Sequence, residues 1–180
     1  AGGLWFGTHD HGACRFDGRT VTRFGVADGL ANTMVNSLVV DQAGDVWAGT
    51  HTGVCRYCRA QFTNLTARDG LPAAGVSSIG ADRRGGVWFG SEDGHVSRYD
   101  GTAFAGVELP ACDWPPAVWS ILEDRSGRMW FGALHDLFSY DGQQVARALP
   151  GGHEQGCRAL LEDRSGRLWA GSGMFWEEGG

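Results

Sequence analysis

One short word is written five times along this chain, and it limits the possible folds more than any other feature. The word is Trp followed two residues later by Gly, in LWFGT (Trp5), VWAGT (Trp47), VWFGS (Trp88), MWFGA (Trp130) and LWAGS (Trp169), spaced 42, 41, 42 and 39 residues apart. Asp stands six residues before four of these tryptophans (Asp41, Asp82, Asp124, Asp163), and Gly follows each Asp by three. An apolar run precedes each Asp: VNSLVV, VSSIGA, VWSILE and CRALLE. After the first four Trp-x-Gly words come two further short runs, such as SRYDG then TAFAGV. Each unit therefore holds four runs of 4–7 residues broken by Asp and Gly. No stretch keeps a 3.6-residue apolar period, so helices are excluded. Four short strands per unit is the remaining reading.

The breaks between runs have turn chemistry. Asp accepts backbone N–H groups, and Gly supplies the positive φ that a tight hairpin needs. A four-stranded antiparallel unit recurring at about this period is a β-propeller blade. The expected fold class is thus all-β, a partial propeller of about four to five blades in a single domain spanning 1–180. We label the strands of a blade A (before the Asp), B (with the Trp), C and D. Complete blades are expected at 33–66, 74–108 and 116–149, with partial blades at 1–28 and 156–180. The five repeated tryptophans are read as packing between sheets, where a large flat side chain fills the gap. The pattern starts without a strand A and stops within a strand C, which suggests a stretch of a larger propeller of six to eight blades.

Composition narrows function. The net charge of −6 argues against general nucleic-acid binding. All 15 basic residues are Arg, which reads as coding bias. No run of about 18 apolar residues occurs, so no membrane contact is expected from this segment. Residue 1 is Ala, and no signal peptide is visible. Cys55 and Cys58 form a CxxC, but no second pair completes a zinc site, and residues three apart on a strand face opposite ways. Asn64-Leu65-Thr66 fits a glycosylation triplet, a frequent chance match.

Several of the repeated words resemble a known family. SILEDRSGRMWFGALHDLFSYDG, VVDQAGDVWAGTHTGVCRY and the linker DGLPAAGVSSI are similar to the two-component regulator propeller repeat. That resemblance implies a seven-bladed propeller, often doubled, in the extracytoplasmic sensor part of hybrid histidine kinases and related bacterial sensors. It implies a periplasmic or extracellular location and a carbohydrate or other small-molecule ligand. Kinase or cyclase activity would lie in output domains outside this chain. The chain departs from the pattern at Cys58 and Arg59, which replace an Asp-Gly turn.

Antiparallel order puts the A–B and C–D turns on one side of the disc and the B–C and D–A loops on the other. The repeated turns read as scaffold; the varied loops are where function is expected. The B–C loops hold His9, His11, His51, His95 and His135, five of the six histidines, with Asp10, Glu92, Asp93 and Asp136. Trp114 lies in the D–A loop CDWPP, outside the repeated position, and its face would suit a sugar ring. Asn36, Ser77, Trp119 and Arg158 share one register at the start of strand A, near the mouth of the central channel. The ligand-binding candidates are His9, His11, His51, Trp114, Trp119, His135, Asp136 and Arg158. No catalytic residue, metal ligand or cofactor is expected. The expected partners are a small-molecule or oligosaccharide ligand and the remaining blades and output domains of a parent chain. One alternative is an enzyme similar to streptogramin lyases, which use loop His and a divalent metal. This chain has Trp-Phe-Gly where that family tends to have Trp-Phe-Thr-Glu, and spacing identifies no acid–base pair. Another alternative is a protein–protein scaffold.

Overall fold

The computed structural model describes residues 3–71, 75–111, 117–148 and 156–172. Its strands form five antiparallel sheets in chain order. The first holds β1 (Leu4–Gly7), β2 (Ala13–Phe16) and β3 (Val21–Phe24). The second holds β4 (Val35–Val40), β5 (Val46–Thr50), β6 (Gly53–Cys58) and β7 (Gln61–Leu65). The third holds β8 (Val76–Ala81), β9 (Val87–Ser91), β10 (Val96–Tyr99) and β11 (Phe104–Val107). The fourth holds β12 (Val118–Glu123), β13 (Met129–Ala133), β14 (Leu137–Tyr140) and β15 (Val145–Arg147). The last holds β16 (Cys157–Glu162) and β17 (Leu168–Ser172). In every sheet each strand pairs with the next in sequence, so the blades are up-and-down meanders. The A strands β4, β8, β12 and β16 pack side by side, which places them innermost. The chain is a partial β-propeller, and its described residues are all-β apart from two three-residue 3₁₀ turns at Val26–Asp28 and Ala67–Asp69.

The repeated word has a physical explanation in three parts. The Trp is the plug between blades: Trp47 packs at a tilt against Phe89 and Tyr99, with ring centroids 5.9 and 5.7 Å away, and Trp88 against Phe131 and Tyr140 at 5.7 and 5.8 Å. Both indoles are buried. A buried indole N–H needs an acceptor, and the Asp six residues earlier supplies it. Trp47, Trp88, Trp130 and Trp169 donate to Asp41, Asp82, Asp124 and Asp163 at 2.8, 2.9, 2.8 and 3.0 Å. The same carboxylates close their own turns, as when Asp82 accepts from the Arg84 and Gly86 amides at 2.9 and 2.7 Å. The Gly allows close approach of the next blade. A Cβ at Gly49 would stand 2.8 Å from Val76, at Gly90 2.6 Å from Val118, and at Gly132 2.6 Å from the Cys157 carbonyl.

Two local departures follow from the sequence. The hairpin joining β6 and β7 uses Arg59 and Ala60 at φ 49° and 66°, a left-handed pair that normally calls for Asn-Gly. Cys55 and Cys58 do not act as a pair. Cys55 is fully buried and its sulfur accepts the Ala31 amide at 3.1 Å, and burial pushes its thiol up to about 11. Cys58 hydrogen-bonds Asp45, which also receives Arg56 at 2.9 and 2.6 Å. Cys14, Cys55, Cys58 and Cys157 are free thiols. The Asn64 amide is engaged, donating to the Gly29 carbonyl at 3.0 Å.

Candidate functional site

Backbone contacts show that the B–C loops and the segments entering strand A share one side of the disc. The Val35 amide donates to the Thr8 carbonyl at 3.0 Å, and the Gly12 amide to the Thr33 carbonyl at 2.9 Å. A Cβ at Gly75 would meet the His51 carbonyl at 3.3 Å, and one at Gly156 would collide with the Leu134 carbonyl. The start of strand A lies at this end of every blade.

There the register of each A strand slips by one residue against strand B. The extra residue is Asn36 in β4, Ser77 in β8, Trp119 in β12 and Arg158 in β16. The four positions that vary in sequence are therefore four equivalent β-bulges. A bulge bends the strand and re-aims its side chain. Here it aims across the seam. Asn36 Nδ2 donates to the Val76 carbonyl at 3.0 Å, and Ser77 Oγ to the Val118 carbonyl at 2.6 Å. Each acceptor is the residue just before the next bulge. By this pattern Trp119 should donate to the carbonyl of Cys157. It does not: its Nε1 is buried and has no hydrogen-bond partner among the described residues. Ser120 Oγ reaches the Cys157 carbonyl instead, at 3.4 Å. The Arg158 guanidinium lies over the Trp119 ring, 4.8 Å from its centroid. Such a contact is worth about 0.5–1 kcal/mol where exposed.

The remaining sequence candidates are placed as follows. His9 and His11 are exposed; His9 Nδ1 bonds the neighbouring Asp10 at 3.0 Å. His51 is exposed and His135 half-buried. Asp136 is buried and ion-paired with Arg147 of β15 at 3.1 Å, so its carboxylate holds its own blade together. Trp114 lies outside the described residues. The structure thus brings Trp119 and Arg158 together. It joins none of the histidines to that pair through a described hydrogen bond or ring contact. No group of three or more His, Cys, Asp and Glu among the described residues is arranged to hold a metal.

Open grooves also run between blades on the opposite side. One is lined by Trp5, Asp45, Tyr57 and Arg59, another by Asp82, Arg98, Glu123 and Tyr140. Their carboxylates are already engaged: Asp82 with Trp88 and Arg98, Asp45 with Arg56, Glu123 with Arg83. No helix among the described residues is long and apolar enough to cross a membrane.

Residues 29–52 and 115–135 match the model of the two component regulator propeller family. Among solved structures, the chain is similar to the extracellular domains of the hybrid two component systems BT3049 and BT4673 from B. thetaiotaomicron. The first match has TM-score 0.78 and 18% identity and covers 94% of this chain and 25% of that one. The second has TM-score 0.79 and 21% identity and covers 94% and 24%. Virginiamycin B lyase from Staphylococcus aureus is also similar, with TM-score 0.79, 16% identity and coverage of 94% and 59%. The chain thus spans about a quarter of the length of those two extracellular domains. No curated protein matches it significantly. Sheet topology and repeated words agree: the chain is a stretch of β-propeller, and its residues 29–52 and 115–135 match the two component regulator propeller repeat.

Proposed function

We propose that this propeller is the ligand-binding part of a bacterial sensor, on the periplasmic or extracellular side of the membrane, and that the ligand binds at the channel mouth on Trp119 and Arg158. The observation that carries the reading is the interrupted seam. Asn36 and Ser77 use the bulge to bond the next blade, whereas Trp119 places an indole there whose N–H has no described partner. A buried unsatisfied donor costs about 1–3 kcal/mol, so this position serves the scaffold poorly. An indole face and a guanidinium suit a carbohydrate or another small polar molecule, with stacking on the ring and hydrogen bonds from Arg158. His51 and His135 lie in loops on the same side. The likeness to extracellular domains of two component systems supports the location and the sensing role. Signal output would belong to other domains of the parent protein.

The test is Trp119→Asn, which puts the Asn36 solution into the fourth blade. Binding is screened by calorimetry against an oligosaccharide panel and a set of small polar metabolites. The variant is expected to lose at least about ten-fold in affinity, or about 1.4 kcal/mol, while keeping or gaining stability through the restored seam bond. Destabilisation with unchanged binding would make Trp119 a packing residue. A ligand turned over by the chain would favour an enzyme instead.

A further inference from the structure

On the opposite side of the disc a second device crosses two of the seams, and it uses charge. The residue after the Asp reaches the next blade. The Arg83 amide donates to Glu123 Oε2 at 2.7 Å, and its guanidinium donates to the Arg125 carbonyl at 3.0 Å. One blade on, the Arg125 amide donates to Glu162 Oε2 at 3.0 Å and its guanidinium to the Arg164 carbonyl at 2.7 Å. In both cases the carboxylate belongs to the residue just before the next Asp, and both glutamate side chains are nearly buried, 10% and 13% exposed. The seam between the second and third sheets lacks this pair. There Gln42 stands in place of Arg and Ala81 in place of Glu, and Gln42 Nε2 donates only to the Asp82 carbonyl at 3.3 Å. Arg goes with Glu, and Gln with Ala. A mismatch would strand a nearly buried carboxylate without its cation, or set a lone Arg against Ala, and a penalty of that kind discriminates between partners.

We propose that these two positions form an address that selects which blade docks on which. The open face of β16–β17 is then a docking surface for a further blade of the same repeat, one that carries Glu directly before its Asp-x-x-Gly turn. Arg164 holds the address on that face; it is exposed and forms no ion pair among the described residues. Leu161 and Trp169 beside it are 62% and 56% exposed, whereas Trp47 and Trp88, plugs of covered seams, are 2% and 3%. Every described seam joins one such blade to the next, so the occupant that fits this face is a blade of the same repeat. The first described sheet, β1–β3, exposes Phe6 and Phe16 as an aromatic cradle, but none of its described residues stands directly before an Asp-x-x-Gly turn.

The probe is the full chain with residues 134–172 duplicated in tandem. This gives β17 its own C and D strands and sets a second copy of β16, with Glu162, opposite Arg164. Hydrogen exchange at the Trp169 indole N–H should slow by at least about ten-fold as the new seam closes. Glu162→Arg in the second copy alone should abolish that protection, and adding Arg164→Glu should restore it. In the unduplicated chain, Arg83→Glu and Glu123→Arg should each lower the urea midpoint, and the double variant should recover most of the loss. The proposal is overturned if the double variant is no better than the two losses combined. It is equally overturned if Glu162→Arg leaves Trp169 protected, or if the 180-residue chain protects Trp169 by assembling head to tail through Phe6 and Phe16.

Discussion

Asp82→Asn is the sharpest test of how the blades are held, because it keeps the shape and changes one atom. The Asp82 carboxylate is 6% exposed and accepts four hydrogen bonds: Arg84 and Gly86 amides on Oδ1, Trp88 Nε1 at 2.9 Å and Arg98 Nε at 2.7 Å on Oδ2. An amide there can still accept the backbone bonds, but its NH2 then faces two N–H donors. The stranded Trp88 donor costs about 1–3 kcal/mol. Arg98 is partly exposed, so solvent recovers part of its loss, and about 1 kcal/mol is a fair share. The sum is about 3 kcal/mol, a large fraction of a domain's stability. Burial alone would raise the Asp82 pKa, but hydrogen bonds from Arg98, Trp88 and Gly86 outweigh it and hold the group below the usual carboxylate value. A carboxylate depressed in the folded chain stabilises it above the unfolded pKa of about 3.9, and that stability drains away as pH falls through the folded value. Urea titrations of both proteins at pH 7 and at steps below pH 4 should show a gap of about 3 kcal/mol that narrows only in acid. Other aspartates titrate in both proteins and cancel. A gap under about 1 kcal/mol at pH 7, or one that ignores acid, would refute the carboxylate as the anchor of the Trp plug.

Two further outcomes are expected. Trp88→Ala should cost about 3–5 kcal/mol by urea titration, as large-to-small core changes do, whereas Trp169→Ala, 56% exposed in this chain, should cost under about 1 kcal/mol. Replacing Arg59-Ala60 by Asn-Gly should raise stability by about 1 kcal/mol, because both positions hold positive φ; a fall in the urea midpoint would mean that the Arg59 side chain matters more than the turn.

The scaffold was legible in the sequence because its causes are local. Runs of 4–7 residues between Asp and Gly announce strands and hairpins, and the Asp-to-Trp spacing is visible on the page. What the spacing does not reveal is that the same carboxylate that closes the turn also receives the indole, since that depends on how the A–B hairpin folds back. The bulges left no signal at all: register against a partner strand is a property of two segments, and one sequence shows only that positions 36, 77, 119 and 158 vary. Reading them as candidate contacts was possible; reading two of them as seam donors was not. Pairing by charge is equally hidden, so Asp136 in a loop looked available, although Arg147 eleven residues later holds it. The five histidines of the B–C loops were easy to see and are exposed or half-buried residues with no described common partner.

A repeat protein supplies its own controls, and that is why a single side chain at one seam carries weight. Gly close to the next blade, Asp under the indole and aromatic rings across the gap recur at seam after seam, so they answer to stability alone. Trp119 occupies a place where the same backbone geometry elsewhere presents Asn and Ser to a waiting carbonyl. An Asn there could donate to the Cys157 carbonyl beside Ser120 and remove the orphaned indole donor, yet the chain carries an indole under a guanidinium. Because Nε1 is buried, a ligand oxygen that accepts from it would first have to displace the atoms that cover it, and the Arg158 guanidinium lies over the ring. In the proposed reading, binding at this place would be coupled to movement at the seam between the fourth and fifth blades. That coupling is what a sensing module needs from a fold that is otherwise locked at every turn.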